Sequence, residues 1–155
     1  MTDLDDLLIP EAVLSGALAS SKKKLFALLG EAAARAYRLD AALVCERLSE
    51  RERLGSTGFG GGIAIPHGKI AGLDKVTGVF ARLDRAIDFG AVDDLPVDLV
   101  FVLLSPPDGG AEHLKALARV SRRLRDRAFT AKLRGAGSTD ALYALLTGID
   151  ARDAA

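Results

Sequence analysis

The sequence predicts an α/β sandwich, because helical and strand-like segments interleave along the chain instead of clustering in blocks. Two stretches carry the reading. Leu25, Phe26, Leu28, Leu29, Ala32, Ala33 and Ala36 recur at the spacing of one helical face. The nearly continuous apolar run from Val97 to Leu104 reads as a strand buried on both faces, as expected when helices cover both sides of a sheet. Spacing alone leaves the strand order open between a parallel and a mixed sheet.

The elements follow in order. Ser20 or Ser21 can cap a first helix that starts near Lys22, since a hydroxyl can accept from the free N–H groups of a first turn. Asp40 caps a second helix carrying Leu43, Val44, Arg47 and Leu48, predicted to fray from Arg51 to Leu54 as glycine takes over. Arg51 then stands where a helix ends and a turn begins. Gly55 to Gly62 reads as a tight, exposed loop, too flexible for the interior of an element. Ile63-Ala64-Ile65 is a short buried strand that stops at Pro66-His67-Gly68, leaving His67 at a strand edge just past the core. Val76 to Leu83 is a further strand, and Ser105 to Gly110 ends the run that began at Val97. A helix from about Ala111 is expected to bury Leu114, Leu117, Ala118, Ser121 and Leu124. A last helix starts at the Ser138-Thr139-Asp140 cap and carries Leu142, Leu145 and Leu146.

A chain of 155 residues with 49% hydrophobic content can bury one sizeable core, so residues 1–155 are expected to form a single domain. Twenty-one basic residues balance twenty-one acidic ones, so no overall field draws the chain to nucleic acid or an anionic membrane. Residues 111–134 hold eight basic side chains against Glu112 and Asp126, a local stripe read as a solvated helix face. The six aspartates of residues 84–108 could neutralise part of it. The single cysteine, Cys45, is read as a small buried residue and fits a reducing cytoplasm. Residues 1–10 lack the pattern of a secretory signal, and no apolar stretch approaches the roughly 20 residues that cross a bilayer. A cytoplasmic protein without membrane insertion is expected.

Chemistry concentrates on two histidines, His67 and His113, each at the junction of an element with a turn rich in glycine or proline. A neutral imidazole has a free nitrogen that can attack phosphorus and later release the phosphoryl group intact. The glycines around His67 reduce bulk near the ring, and a glycine loop can offer backbone N–H groups to an anion. His113 lies near the positive end of its helix, which disfavours its protonation, but its position beside the apolar stripe favours a core-flanking histidine on sequence alone. Arg51 offers a planar fork suited to phosphate oxygens. Other chemistries fail on spacing. A phosphate-binding loop ending at Gly68-Lys69 would need glycine where Ile63 stands and Ser or Thr where Ile70 stands. Gly58-Phe59-Gly60 lacks the third glycine of a dinucleotide fingerprint, and His67, His113 and Cys45 share no metal-ligand spacing. No metal and no cofactor are expected.

The segments Arg51-Glu52-Arg53-Leu54-Gly55-Ser56-Thr57-Gly58 and Gly62-Ile63-Ala64-Ile65-Pro66-His67-Gly68-Lys69, with the later helix that begins at His113-Leu114, resemble the mannitol/fructose class of enzyme IIA domains of the bacterial phosphotransferase system. The resemblance covers nearly the whole chain and is closest to the nitrogen-regulatory branch. It implies a mixed β-sheet flanked by helices on both sides. It further implies phosphorylation of His67, neutralisation of the phosphoryl oxygens by Arg51 and a hydrogen bond from His113. Gly55, Ser56, Thr57 and Gly58 are carried as candidate phosphoryl contacts. The implied partners are an HPr-like phosphohistidine donor and regulatory target proteins, with no nucleic acid. The expected function is a phosphocarrier whose phosphorylation state regulates its targets. One alternative is a sugar-specific enzyme IIA that passes the group to a separate permease component. Another is an adaptor working unphosphorylated through its basic helix, for which neither histidine would be needed.

Overall fold

The computed structural model describes residues 4–148. Its first strand, β1 (Val13–Ala17), follows a single turn of 3-10 helix at Pro10–Ala12. Helix α1 (Lys22–Tyr37) starts on Ser21, whose hydroxyl accepts from the Lys24 N–H, and α2 (Ala41–Arg53) starts on Asp40, whose carboxylate accepts from the Ala42 and Leu43 N–H groups. Both caps fulfil the expectation from sequence. α1 turns its Leu25, Phe26, Leu29, Ala32 and Ala33 inward, and the two helices pack against each other.

Three short strands come next: β2 (Gly58–Gly60), β3 (Ile63–Ala64) and β4 (His67–Lys69). The long strands β5 (Thr77–Ile87) and β6 (Val97–Ser105) precede α3 (Gly110–Leu124), α4 (Arg127–Gly135) and α5 (Thr139–Thr147). The sheet order is β1-β5-β6-β3-β2, with β4 also paired to β6. β1 runs parallel to β5, β5 antiparallel to β6, and β3 and β4 parallel to β6, so the sheet is mixed. α1 and α2 pack on β5 and β4, whereas α3 packs on β6 and leads through α4 to α5 against β1. The two helix groups leave every residue from Leu99 to Ser105 buried, which requires cover on both faces.

β3 and β4 are two pieces of one interrupted strand lying along β6, opposite Leu99 and Val100 and then opposite Leu103 to Ser105. Pro66 sits at the interruption. It has no N–H to give to a ladder, but its carbonyl accepts from the Leu103 N–H at 3.0 Å, so the chain stays in register and resumes pairing at His67. His67 therefore opens a strand at the C-terminal end of β6, where α3 also begins after its turn.

Several expectations are corrected. The glycine segment is not wholly an exposed loop: Gly58–Gly60 pairs antiparallel with β3, and Thr57 and Gly58 are buried. Gly61 and Gly62 make the turn between β2 and β3, at φ of 68° and 83°, the left-handed region that glycine tolerates. α2 stays helical to Arg53, and the strand expected over residues 76–83 extends to Ile87. Cys45 is half-buried. The basic stretch is not one helix, because Asp126 caps α4 by accepting from the Ala128 and Phe129 N–H groups. The buried face of α3 is His113, Ala116, Val120 and Leu124, while Leu114 is 66% exposed. The expected stripe was rotated by one residue, which moves His113 from its flank into it. Part of the basic stripe is neutralised as expected, Arg134 pairing with Asp98 at 2.9 Å.

Candidate active site

His67 is held by the backbone that precedes it. Its Nδ1 lies 2.9 Å from the Ile65 carbonyl oxygen, and a carbonyl can only accept, so Nδ1 carries the ring proton. The lone pair is then on Nε2. A second contact agrees, since the Arg51 Nε–H donates to His67 Nε2 at 3.2 Å. Two independent partners on different elements thus select one tautomer and leave Nε2 nucleophilic.

Arg51 reaches this position from the last turn of α2. Its Nη1 also donates to the Gly55 carbonyl at 2.9 Å, which braces the guanidinium between the ring and the start of the glycine segment. The close approach of α2 to β4 depends on Gly68. A Cβ there would stand 3.2 Å from Arg47 Cβ, tighter than such contacts ordinarily are. Glycine next to His67 therefore sets the distance between the helix and the strand that carry the candidate site.

Of the candidate phosphoryl contacts, most donors are engaged inside the protein. Glu52 accepts from the Thr57 N–H and, at 2.6 Å, from the Thr57 hydroxyl, and it takes Lys22 Nζ at 2.8 Å. The Gly58 N–H goes to Ser56 Oγ at 3.1 Å and the Gly55 N–H to the Glu52 carbonyl at 3.2 Å. Burial works to raise the Glu52 carboxyl, but the bonds from Lys22 and Thr57 outweigh it and hold it below its ordinary value. An ionised Glu52 anchors the segment. In this arrangement the glycine segment braces Arg51 and lines up β2.

His113 lies in the first turn of α3 and is 8% exposed. Its ring centroid is 5.2 Å from that of His67, with the planes tilted by 50°. The Nδ1 of His113 is hydrogen-bonded to the Ser105 hydroxyl. Sequence reasoning picked out His67, His113 and Arg51, which the structure brings together, and read Gly68 for low bulk beside the ring; it passed over Ser105 and Glu52. Ser105 carried a faint signal as the one hydroxyl at the end of an otherwise apolar strand. Glu52, beside Arg51 in the quoted motif, carried none of its own.

Burial lowers the pKa of both histidines. For His67 the Arg51 charge adds to the effect while the Ile65 carbonyl opposes it, and for His113 the neighbouring His67 and Lys69 add to it. Both rings are neutral near pH 7. In the unfolded chain they would protonate around the ordinary value of about 6.5, before the folded protein does, so their contribution to stability is present above that pH and is lost as the pH falls through the folded values. The wild-type urea midpoint is expected to drop more steeply between about pH 7.5 and about pH 5 than that of a His67→Gln/His113→Gln double variant. Equal slopes would mean that neither ring resists protonation.

The rings open on a cleft of about 470 Å³ lined by Arg47, Glu50, Arg51, Leu54, His67 and His113, together with Gly68 and Lys69. Leu54 is 83% exposed at its rim, and the exposed Leu114 follows His113 directly in sequence. A larger groove, along Gly60–Gly62 and α4, contains neither histidine. What the smaller cleft can do is attack an electrophile with His67 Nε2, with a guanidinium within reach of any anion formed and a second imidazole alongside.

Comparison with known proteins shows the family and the fold. Residues 6–148 match the model of the family described as phosphoenolpyruvate-dependent sugar phosphotransferase system, EIIA 2. A nitrogen regulatory protein of Bradyrhizobium diazoefficiens is 48% identical over 143 residues, 92% of this chain and 94% of that protein. A nitrogen regulatory protein of Escherichia coli is 41% identical, over 93% of this chain and 89% of that protein. The crystal structure of nitrogen regulatory protein IIA-Ntr from Neisseria meningitidis superposes with a TM-score of 0.87 at 36% identity, covering 93% of this chain and 99% of that one. IIA mannitol from Escherichia coli shares the fold at a TM-score of 0.74 and 23% identity, covering 90% and 98%. A mixed sheet between helices, a histidine pair beside an arginine and a family match across nearly the whole chain lead to one assignment: the chain belongs to the EIIA 2 family of the phosphotransferase system, among relatives named nitrogen regulatory proteins.

Proposed function

We propose that this protein is a phosphocarrier that accepts a phosphoryl group on His67 Nε2 from an HPr-like phosphohistidine and regulates target proteins according to whether it carries that group. The observation that supports this best is the double restraint on His67, a carbonyl at Nδ1 and a guanidinium at Nε2. In the resting protein the Arg51 Nε–H occupies the lone pair. An incoming phosphoryl group offers the guanidinium better acceptors, so Arg51 exchanges the ring nitrogen for phosphoryl oxygens and frees Nε2 to attack.

The N–P bond of the donor breaks as the bond from Nε2 to phosphorus forms in line, and the donor histidine keeps the electron pair. The His67 ring retains the proton on Nδ1 and becomes a phosphoimidazolium. Its positive charge is stabilised by the Ile65 carbonyl and its phosphoryl oxygens by Arg51. A ring that stays charged remains a good leaving group, as a carrier that must release its cargo requires. Exposed Leu54, at the cleft rim, and Leu114 suit docking of a protein partner. A dianion added on His67, in the cleft that Leu54 rims, changes what that surface can bind, which gives phosphorylation its regulatory effect.

The experiment uses ring-¹⁵N-labelled protein and a phosphorylated HPr-type donor. A phosphorus signal coupled to His67 Nε2, in an adduct labile to acid and stable to alkali, is expected. Attachment at Nδ1 or on another residue would overturn the mechanism. Rapid onward transfer to a sugar-permease component would instead favour the sugar-specific reading.

A further inference from the structure

Ser105 ends β6 and is fully buried. Its position is fixed by the ladder, since it pairs with Lys69 of β4 and its carbonyl accepts from the Ile70 N–H at 2.8 Å. Among the described residues, the hydrogen-bond partner of its hydroxyl is His113 Nδ1. The direction of that bond follows from counting protons. If Nδ1 carried the ring proton and donated it, the hydroxyl hydrogen would be left without an acceptor in a site closed to solvent, which buried polar groups avoid. If the hydroxyl donates, both groups are satisfied and the ring proton lies on Nε2. His113 is held neutral by its surroundings, so it has one proton and the location of that proton decides what the ring can do.

We propose that Ser105 is a positioning residue that holds His113 in the Nε2–H tautomer, so that the ring beside His67 presents a hydrogen-bond donor to the phosphoryl group. The inference rests on the phosphocarrier reading for its function, though not for the tautomer itself. The two histidines then carry opposite tautomers. A carbonyl acceptor at Nδ1 leaves His67 with a lone pair on Nε2, and a hydroxyl donor at Nδ1 leaves His113 with a proton on Nε2. The division suits the reaction, because the nucleophile needs a lone pair and the anion needs a donor. With the other tautomer, His113 would turn a lone pair toward phosphoryl oxygens and repel them.

The test combines ring ¹⁵N–¹H correlation spectra with transfer rates for wild type, Ser105→Ala and Ser105→Thr. Wild-type His113 is expected to be protonated on Nε2 and His67 on Nδ1. In Ser105→Ala the His113 proton should redistribute toward Nδ1 and transfer to His67 should slow about 10-fold, with Thr restoring both. In a His113→Ala background, Ser105→Ala should change the rate little, which separates action through the ring from general loosening of the site. A wild-type His113 protonated on Nδ1 overturns the proposal whatever the variants do. So does a Ser105→Ala protein with unchanged tautomer and rate. If the wild-type tautomers are as stated but His67 accepts no phosphoryl group, the phosphocarrier reading fails while the tautomer assignment stands.

Discussion

A His67→Gln protein is expected to accept no detectable phosphoryl group from a phosphorylated HPr-type donor while remaining folded. Glutamine is close in size, and its amide oxygen can take the place of Nε2 as acceptor for Arg51, so the brace between α2 and β4 is retained. Its amide nitrogen is not a nucleophile, because its electron pair is delocalised onto the carbonyl. His113 cannot substitute. Its Nδ1 is committed to Ser105, and in the tautomer proposed above its Nε2 carries the ring proton and has no lone pair with which to attack. The check is labelled-donor transfer together with a urea melt on the same preparation. No label and a stability within about 1 kcal/mol of wild type are expected, since one partly exposed contact is conserved in kind. Label at the wild-type level would move the acceptor to another residue. Label on His113 would mean that the two rings exchange roles and that their proton positions are not fixed.

The parts of this site that were legible in sequence are those set by local chemistry. Pro66 announces the interruption that separates β3 from β4, Gly68 a ring with little bulk beside it, and the caps Ser21, Asp40 and Ser138 act as their residue types suggest. The long buried strand and the first helix were equally plain, because each follows one period over many residues. His113 was identified only with help from the family resemblance. Its own neighbours argued for a core flank, and in the fold it is both a core residue of α3 and a neighbour of His67.

What stayed hidden depends on partners distant in sequence. Nothing in His67-Gly68-Lys69 favours a strand, and β4 exists because β6 offers an unfilled ladder beside it. β1 was missed for a related reason: Ser15 and Gly16 blur its alternation, and its pairing to β5 shifts register between Leu14 and Ala17. The run of basic residues across α3 and α4 concealed the break at Asp126, whose capping role is visible only when the backbone direction changes. Ser105 is the clearest case. Whether a serine at the end of a strand is a stop signal or the partner of a histidine eight residues later depends on how the turn between them closes, and on the helix that turn starts.

The second large effect is expected for Arg51→Lys, where a structural role and a chemical role give different outcomes. Arg51 makes two bonds from one planar group, to His67 Nε2 at 3.2 Å and to the Gly55 carbonyl at 2.9 Å. Lysine keeps the charge but gathers its donors at a single point, so it can satisfy one of these acceptors and not both. If the residue only held the end of α2 to the glycine segment, a partly exposed charge exchanged for another would cost no more than about 1 kcal/mol and transfer would be nearly normal. If it must leave Nε2 and grip two phosphoryl oxygens as phosphorus moves between nitrogens, a point charge lacks the paired geometry, and the rate should fall by about 10²-fold or more. Melting temperature and single-turnover transfer measured on one Arg51→Lys preparation separate the cases. Intact melting with slow transfer is the expected result. Normal transfer would remove Arg51 from the chemistry, and a loss of both would assign it to bracing Gly55 and the segment that follows.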